Sequence, residues 1–184
     1  MSIKRAPLKH SLAIREQLQD RASQFFLRLG CQQPFVDVEL LEDDRISASA
    51  QGVTVRSYPF GKIRISRKLL ELLSDDEVEF VLAHEVAHIN LNHLVSTASF
   101  TLARELATEV AKHDSQWKTM IILWDIFTLM IYRNGKLPPS AVELKKQELD
   151  ADALAVFLTG NNRAACSALL KLTGNKPSAP SYSA

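Results

Sequence analysis

Residues 82–93, LAHEVAHINLNH, place three histidines and one glutamate in a stretch that otherwise has the composition of an apolar helix face. His84 and His88 are four residues apart, so on a helix their side chains leave the same face and can bind one Zn²⁺ together. Glu85 is rotated about a hundred degrees from His84, which keeps it out of the ligand set but near a water on the metal. The spacing His-Glu-x-x-His is typical of metallopeptidases in which the glutamate is the general base.

A catalytic zinc site needs a third protein ligand and an open position for water. The later stretch KKQELDADALAV offers Glu148 to complete a His₂Glu set, and Asp152 lies one turn further along the same helix face. Asp152 would accept a hydrogen bond from the free ring nitrogen of a ligand histidine and orient that ring. A solvated acidic face is the alternative for both residues, since charge runs usually face water. The histidine motif favours the ligand interpretation.

His93 follows His84 by nine residues, which on a continuing helix places it on the opposite side. We therefore predict that it does not bind the same metal. A structural role near the helix end is expected instead, where a histidine suits the helix dipole. His10 and His113 are predicted to be surface residues.

The spacing of the apolar residues predicts the elements that precede these groups. A period of three to four residues predicts an N-terminal helix over 8–29, and Gly30 is a natural stop. Alternating β-branched and polar residues then predict a sheet of three or four short strands over 35–66.

The histidines and the later acids are each predicted to lie on a helix. Ser74, followed three residues later by Glu77, is a capping-box signature and predicts an active-site helix over 75–95. A glutamate helix is predicted over 140–159. We therefore expect one α+β domain over 1–174, mostly helical, with a small antiparallel or mixed sheet packed on the active-site helix.

Composition limits the classes of partner. The chain has 184 residues, 46% of them hydrophobic, which is enough for one domain with a hydrophobic core. Lys and Arg number 22 against 21 Asp and Glu, so no basic surface indicates nucleic acid.

Two distant cysteines without metal spacing are typical of a reducing compartment. No apolar stretch of the secretory type follows the first basic residues, so a cytoplasmic location is predicted.

The segment TMIILWDIFTLMIY within 117–132 is strongly apolar. A spanning helix needs about 20 apolar residues, and Asp125 at its centre would be costly in lipid. A buried core helix is therefore predicted, and membrane association is the alternative.

Four stretches carry a resemblance to a known family. LSDDEVEFVLAHEVAHINLNH and ELDADALAVFLTGN resemble the active-site and glutamate helices of HtpX-type and CAAX-prenyl-protease-type zinc metallopeptidases of the gluzincin clan. GKIRISRKLLELL and SALLKLTGN resemble the segments before and after them. Together they cover roughly 60–175. Metallopeptidases that cleave phage-type repressors share the paired motifs, but the position of His93 and the segment ALLKLTGN favour the HtpX-like group.

This resemblance implies a zincin-like fold with one Zn²⁺ per chain, bound by His84, His88 and Glu148, with Asp152 in support. It also implies that a peptide or protein substrate lies extended along an edge strand, supplied by either GVTVRSY or ISASAQ. The chain looks like a minimal soluble member, because it lacks the transmembrane segments that HtpX-like proteases carry before the catalytic domain.

The His-Pro element that many relatives carry after the glutamate helix, with its nearby arginine, is not found here. Tyr132, His113 and Tyr182 remain as candidates for stabilising the transition state, by elimination.

The predicted activity is metalloendopeptidase hydrolysis of peptide bonds by a metal-activated water, with Glu85 as general base. One alternative is a non-catalytic zinc-binding module of the same fold. It includes a form autoinhibited by the tail over 175–184, which is predicted to be disordered. The other alternative is a membrane-peripheral protease anchored by 117–132.

Overall fold

The computed structural model of the chain describes residues 8–55, 57–93, 108 and 140–174. These ranges contain five helices and three strands: α1 Leu8–Arg28, β1 Phe35–Leu41, β2 Ala48–Val55, β3 Tyr58–Ser66, α2 Arg67–Leu72, α3 Asp75–Asn90, α4 Ala141–Thr159 and α5 Asn162–Thr173. The predicted α+β class is confirmed. The predictions for 117–132 and for the tail concern residues outside the described ranges.

Helix α1 ends at Arg28, one residue before the predicted end, and Gly30 follows it with a left-handed φ of 76°. Its side chains cover the outer edge of β1. Gln19 accepts a hydrogen bond from the Val38 N–H at 2.7 Å and donates one to the carbonyl of Val36, and Arg15 donates to the Val38 carbonyl at 2.9 Å. One edge of the sheet is therefore occupied by side chains of this helix.

The sheet has the order β1-β3-β2 and is mixed. Strands β2 and β3 form an antiparallel hairpin, and β1 pairs with β3 in parallel. The mixed form of the predicted sheet is the correct one. The hairpin inserts β3 between the first two strands, so β1 and β2 become the two edges.

Helix α3 is the central element and packs on the sheet with its last turn. Eleven of its 16 side chains are buried, as expected for a helix enclosed by neighbours. A Cβ at Gly52 would lie 2.4 Å from the carbonyl oxygen of Phe60 and 3.2 Å from Ile89 of α3. Glycine at this position therefore lets the helix and the two paired strands approach closely.

Both ends of α3 have a clear cause. The helix begins at Asp75 as predicted, where the backbone N–H of Ser74 donates to the Glu77 carboxylate at 2.7 Å. It ends at Asn90, short of the predicted end at 95. Asn92 then adopts a left-handed φ of 58°, which turns the chain away from the helix axis.

Glu77 is a buried carboxylate, only 4% exposed, that joins α3 to α5. Ser167 donates a hydrogen bond to it at 2.5 Å and Lys171 at 2.7 Å. Burial raises the pKa of Glu77, but the bonds from Lys171, Ser167 and the Ser74 backbone outweigh burial and lower the pKa to about 2. The carboxylate is therefore charged and fully bonded in the folded chain.

Glu77→Gln is expected to lower the free energy of unfolding at pH 7 by about 2 kcal/mol. The neutral amide cannot form the ion pair that the Glu77 carboxylate makes with Lys171. A lowered folded-state pKa stabilises the fold above the unfolded value near 4.5, and this contribution disappears as the pH falls towards 2. Urea titrations of both proteins at several pH values should show the difference shrinking below pH 4.5. Glu79→Gln, on the same helix with only a surface partner in Arg21, is the control and should change stability little. A difference that does not depend on pH would contradict the prediction.

No helix among the described residues is long and apolar enough to span a bilayer.

Candidate metal centre

Two helices position the predicted site residues. Helix α3 carries His84, Glu85 and His88 on its last turns, and α4 lies against it through its buried alanines. Ser140 caps the N-terminus of helix α4, where its hydroxyl accepts the Glu143 N–H. The packing of α4 on α3 brings the carboxylates of the later helix to the histidines.

His84, His88 and Glu148 form one compact group of possible metal ligands. The Nε2 atoms of the two histidines are 2.9 Å apart. The carboxylate oxygens of Glu148 lie 3.4 Å from Nε2 of His84 and 3.6 Å from Nε2 of His88. All three ligand atoms fall within 4.8 Å of one another.

These separations are compatible with zinc. Bonds of 2.0–2.1 Å in a tetrahedral arrangement separate two ligand atoms by about 3.3 Å, close to each of the three distances. Burial, together with the neighbouring His84 and His93, lowers the pKa of His88 to about 4. The His88 imidazole is therefore neutral at pH 7 and offers a lone pair. Glu148 is 60% exposed, so the group is open to solvent on that side.

Asp152 lies behind His84, and its role in orienting a ligand histidine stays a prediction. Its carboxylate is 2.8 Å from Nδ1 of His84. Burial lowers the pKa of His84, but the Asp152 hydrogen bond and the charges of Glu85 and Glu148 outweigh it and raise that pKa above its usual value. Because the hydrogen bond to Asp152 places a ring proton on Nδ1, the lone pair of Nε2 is available on the side of Glu148.

Glu85 is buried next to the ligand group, with 8% of its surface exposed. Burial and the nearby charge of Glu148 together raise its pKa to about 7, although His84 and the backbone N–H of Ala50 act in the opposite direction. Ala50 belongs to the edge strand β2. The carboxylate therefore lies between the ligand group and the edge strand β2.

The position predicted for His93 was wrong, because the helix does not continue to 95. The chain turns at Asn92 and brings Nδ1 of His93 to 3.3 Å from Nδ1 of His88. The two rings lie edge to face with centroids 5.2 Å apart. His93 is not in the ligand group found among the described residues, so its structural role stays a prediction.

Sequence reasoning missed two contacts of the site. One is the approach of the Ala50 backbone N–H to the Glu85 carboxylate. The other is the contact of the turn at Asn92 with Thr54 of β2. The only sequence signal for either was Asn92 itself, since asparagine tolerates left-handed backbone. Tyr132, His113 and Tyr182 lie outside the described residues.

The chain matches the family model Peptidase family M48 over residues 12–183. It is similar to proteins named Protease HtpX homolog. The one from Bacteroides fragilis (strain YCH46) is 28% identical over 156 residues, covering 75% of this chain and 47% of the relative. The one from Tropheryma whipplei (strain Twist) is 31% identical over 156 residues, covering 77% and 52%. The one from Streptococcus agalactiae serotype III (strain NEM316) is 29% identical over 189 residues, covering 89% and 62%.

No solved structure gives a significant match to the chain. The chain spans about half the length of the Bacteroides and Tropheryma relatives. The match to the family model nevertheless extends over nearly the whole chain and includes both helices of the ligand group. The predicted HtpX-type resemblance is confirmed, and the chain belongs to peptidase family M48.

Proposed function

We propose that the chain is a zinc-dependent metalloendopeptidase. The observation that supports this most directly is the convergence of one atom each from His84, His88 and Glu148 within 4.8 Å, beside the buried carboxylate of Glu85. Two imidazoles in their neutral form and one carboxylate are the ligand set of a catalytic zinc with one open position. Membership of a peptidase family and the similarity to HtpX homologues support the same proposal.

Zinc bound by these three residues would supply a Lewis acid that polarises a peptide carbonyl and acidifies a water. Glu85 accepts the proton of the attacking water on its carboxylate and then delivers that proton to the leaving nitrogen. Asp152 holds the His84 ring in the orientation seen here, 2.8 Å away. The backbone N–H of Ala50 favours the charged form of the Glu85 carboxylate.

The outer edge of β2 is the proposed position of the substrate backbone. The two stretches predicted as alternatives, ISASAQ and GVTVRSY, both contribute to this single strand, Ala48–Val55. The opposite edge, β1, is bonded to side chains of α1 at Val36 and Val38. A peptide added beside β2 would pass next to Ala50, and therefore next to Glu85. Peptide or protein substrates remain a proposal, as does the cytoplasmic location.

The test is metal analysis combined with a broad peptide digest of the unchanged chain. We expect about one zinc per chain, cleavage of internal peptide bonds, loss of cleavage on treatment with a strong chelator, and recovery when zinc is restored. Cleavage that persists in the chelated protein would reject the proposal. Zinc binding without any cleavage over the accessible pH range would favour the non-catalytic module.

A further inference from the structure

The outer edge of β2 exposes alternate backbone groups. In an antiparallel pair, every second residue directs both its N–H and its C=O to one side. Ser47 directs its carbonyl to β3, where it accepts the Ser66 N–H at 2.9 Å. Ala48, Ala50, Gly52 and Thr54 therefore direct their backbone groups outward, which agrees with the Ala50 N–H reaching Glu85.

Thr54 is the outward position that is already bonded. Asn92 accepts the Thr54 N–H on its Oδ1 at 2.7 Å and donates from its Nδ2 to the Thr54 carbonyl at 3.1 Å. These are the two backbone groups that a residue of an added strand would use. Within the described part of the chain, the outward groups of Ala48 and Gly52 have no such partner.

Two features of the fold hold the Asn92 amide in place: its backbone conformation and a further bond between Thr54 and α3. Its left-handed φ of 58° follows directly from the end of α3 and aims the side chain at the sheet. The hydroxyl of Thr54 also donates to the carbonyl of Ile89 at 3.2 Å, in the last turn of α3. Three hydrogen bonds thus tie this strand end to the turn after the active-site helix.

We propose that Asn92 is a specificity-determining residue that closes the peptide-binding edge of β2 at Thr54. A peptide can pair with Ala48 and Gly52, on either side of the Ala50 position next to Glu85, but not beyond Gly52 in the direction of Thr54. The enzyme then gains no affinity from substrate residues beyond that point. This inference rests on the proposed function, because it takes the β2 edge as the substrate position.

The test uses the zinc-loaded chain and two nested series of alanine-based peptide hydroxamates. One series carries the hydroxamate at the carboxyl end and the other at the amino end, so that one of them must extend from the metal towards Thr54. Affinity is measured as a function of peptide length. In the unchanged chain, the series that extends towards Thr54 should stop gaining affinity once it reaches Gly52. In Asn92→Gly the same series should gain about tenfold more from two further backbone hydrogen bonds.

Glycine is the appropriate replacement because it adopts positive φ without strain and so keeps the turn. Asn92→Asp is the second variant: it keeps the acceptor for the Thr54 N–H and loses the donor, so its gain should be smaller. For the series that extends the other way, affinity should depend on peptide length in the same manner in all three proteins. Equal length dependence in the unchanged chain and in both variants would overturn the inference, and a change in melting temperature alone would assign Asn92 a purely structural role. The chelator-sensitive digest tests the proposed function separately.

Discussion

Glu85→Gln is expected to lower the kcat/KM for peptide hydrolysis by about 10²- to 10⁴-fold, the range that a positioned general base contributes. Glutamine has the same size and can still accept the hydrogen bond of the Ala50 N–H, but it cannot take a proton from water. Zinc content should stay at the level of the unchanged chain, because Glu85 is not among the ligand atoms. The folded state should be no less stable, since a neutral side chain replaces a buried, nearly unexposed carboxylate.

The measurement compares kcat/KM and bound zinc per chain in the two proteins on the same cleaved peptide. Glu79→Gln is a matched control, because it makes the same replacement on the same helix at a residue paired with Arg21 on the surface. That variant should keep its activity. Undiminished hydrolysis by Glu85→Gln with full zinc would remove Glu85 from the proposed mechanism.

The shared face of His84 and His88 could be predicted from the sequence because it depends only on helix geometry. Four residues of separation bring two side chains together on any α-helix, and the pair is found with Nε2 atoms 2.9 Å apart. The start of α3 was equally local, because the capping box needs only Ser74 and Glu77. Glu148 required a chemical argument, namely that two histidines leave zinc one protein ligand short.

Features set by packing between distant segments could not be predicted in the same way. At the end of α3, Asn92 contacts Thr54, 38 residues away in sequence, a contact that the local pattern does not encode. Without that contact the apolar pattern continues past Asn90, so the helix was predicted too long and His93 was assigned to the wrong side. The parallel pairing of β1 with β3 likewise follows from where the hairpin inserts, which alternation within a strand does not encode.

The position of Glu85 shows how the local and the distant features combine. Its place on α3 follows from the motif, but its environment depends on a close approach of that helix to β2. Gly52 permits the approach, since any larger residue would meet Phe60 and Ile89. The same approach brings the Ala50 N–H near Glu85 and lets Asn92 bond to Thr54. The positions of the proposed general base and of the proposed end of the peptide-binding edge therefore depend on one helix–strand contact.

Glu148→Gln is expected to weaken zinc binding by more than about 100-fold, beyond the loss typical of residues that only support a ligand. The carboxylate is the only anionic member of the ligand group and lies 3.4 Å and 3.6 Å from the two histidine nitrogens. A neutral amide keeps the shape but loses the charge that attracts the cation. Because Glu148 is exposed, its replacement should leave the fold intact, and circular dichroism and melting temperature should match the unchanged chain. Zinc affinity is measured by competition with a chromophoric chelator.

Asp150→Asn is the control, since it removes one negative charge from the same exposed part of α4, two residues away and outside the ligand group. If net charge on this helix were what attracts zinc, both variants would weaken binding alike. If Glu148 is a ligand, only its variant should lose affinity, and peptide hydrolysis at limiting zinc should fall with it. High zinc should restore part of that activity, because His84, His88 and Glu85 remain in place. Unchanged zinc affinity in Glu148→Gln would instead return Glu148 to the solvated acidic face that its sequence context also allowed.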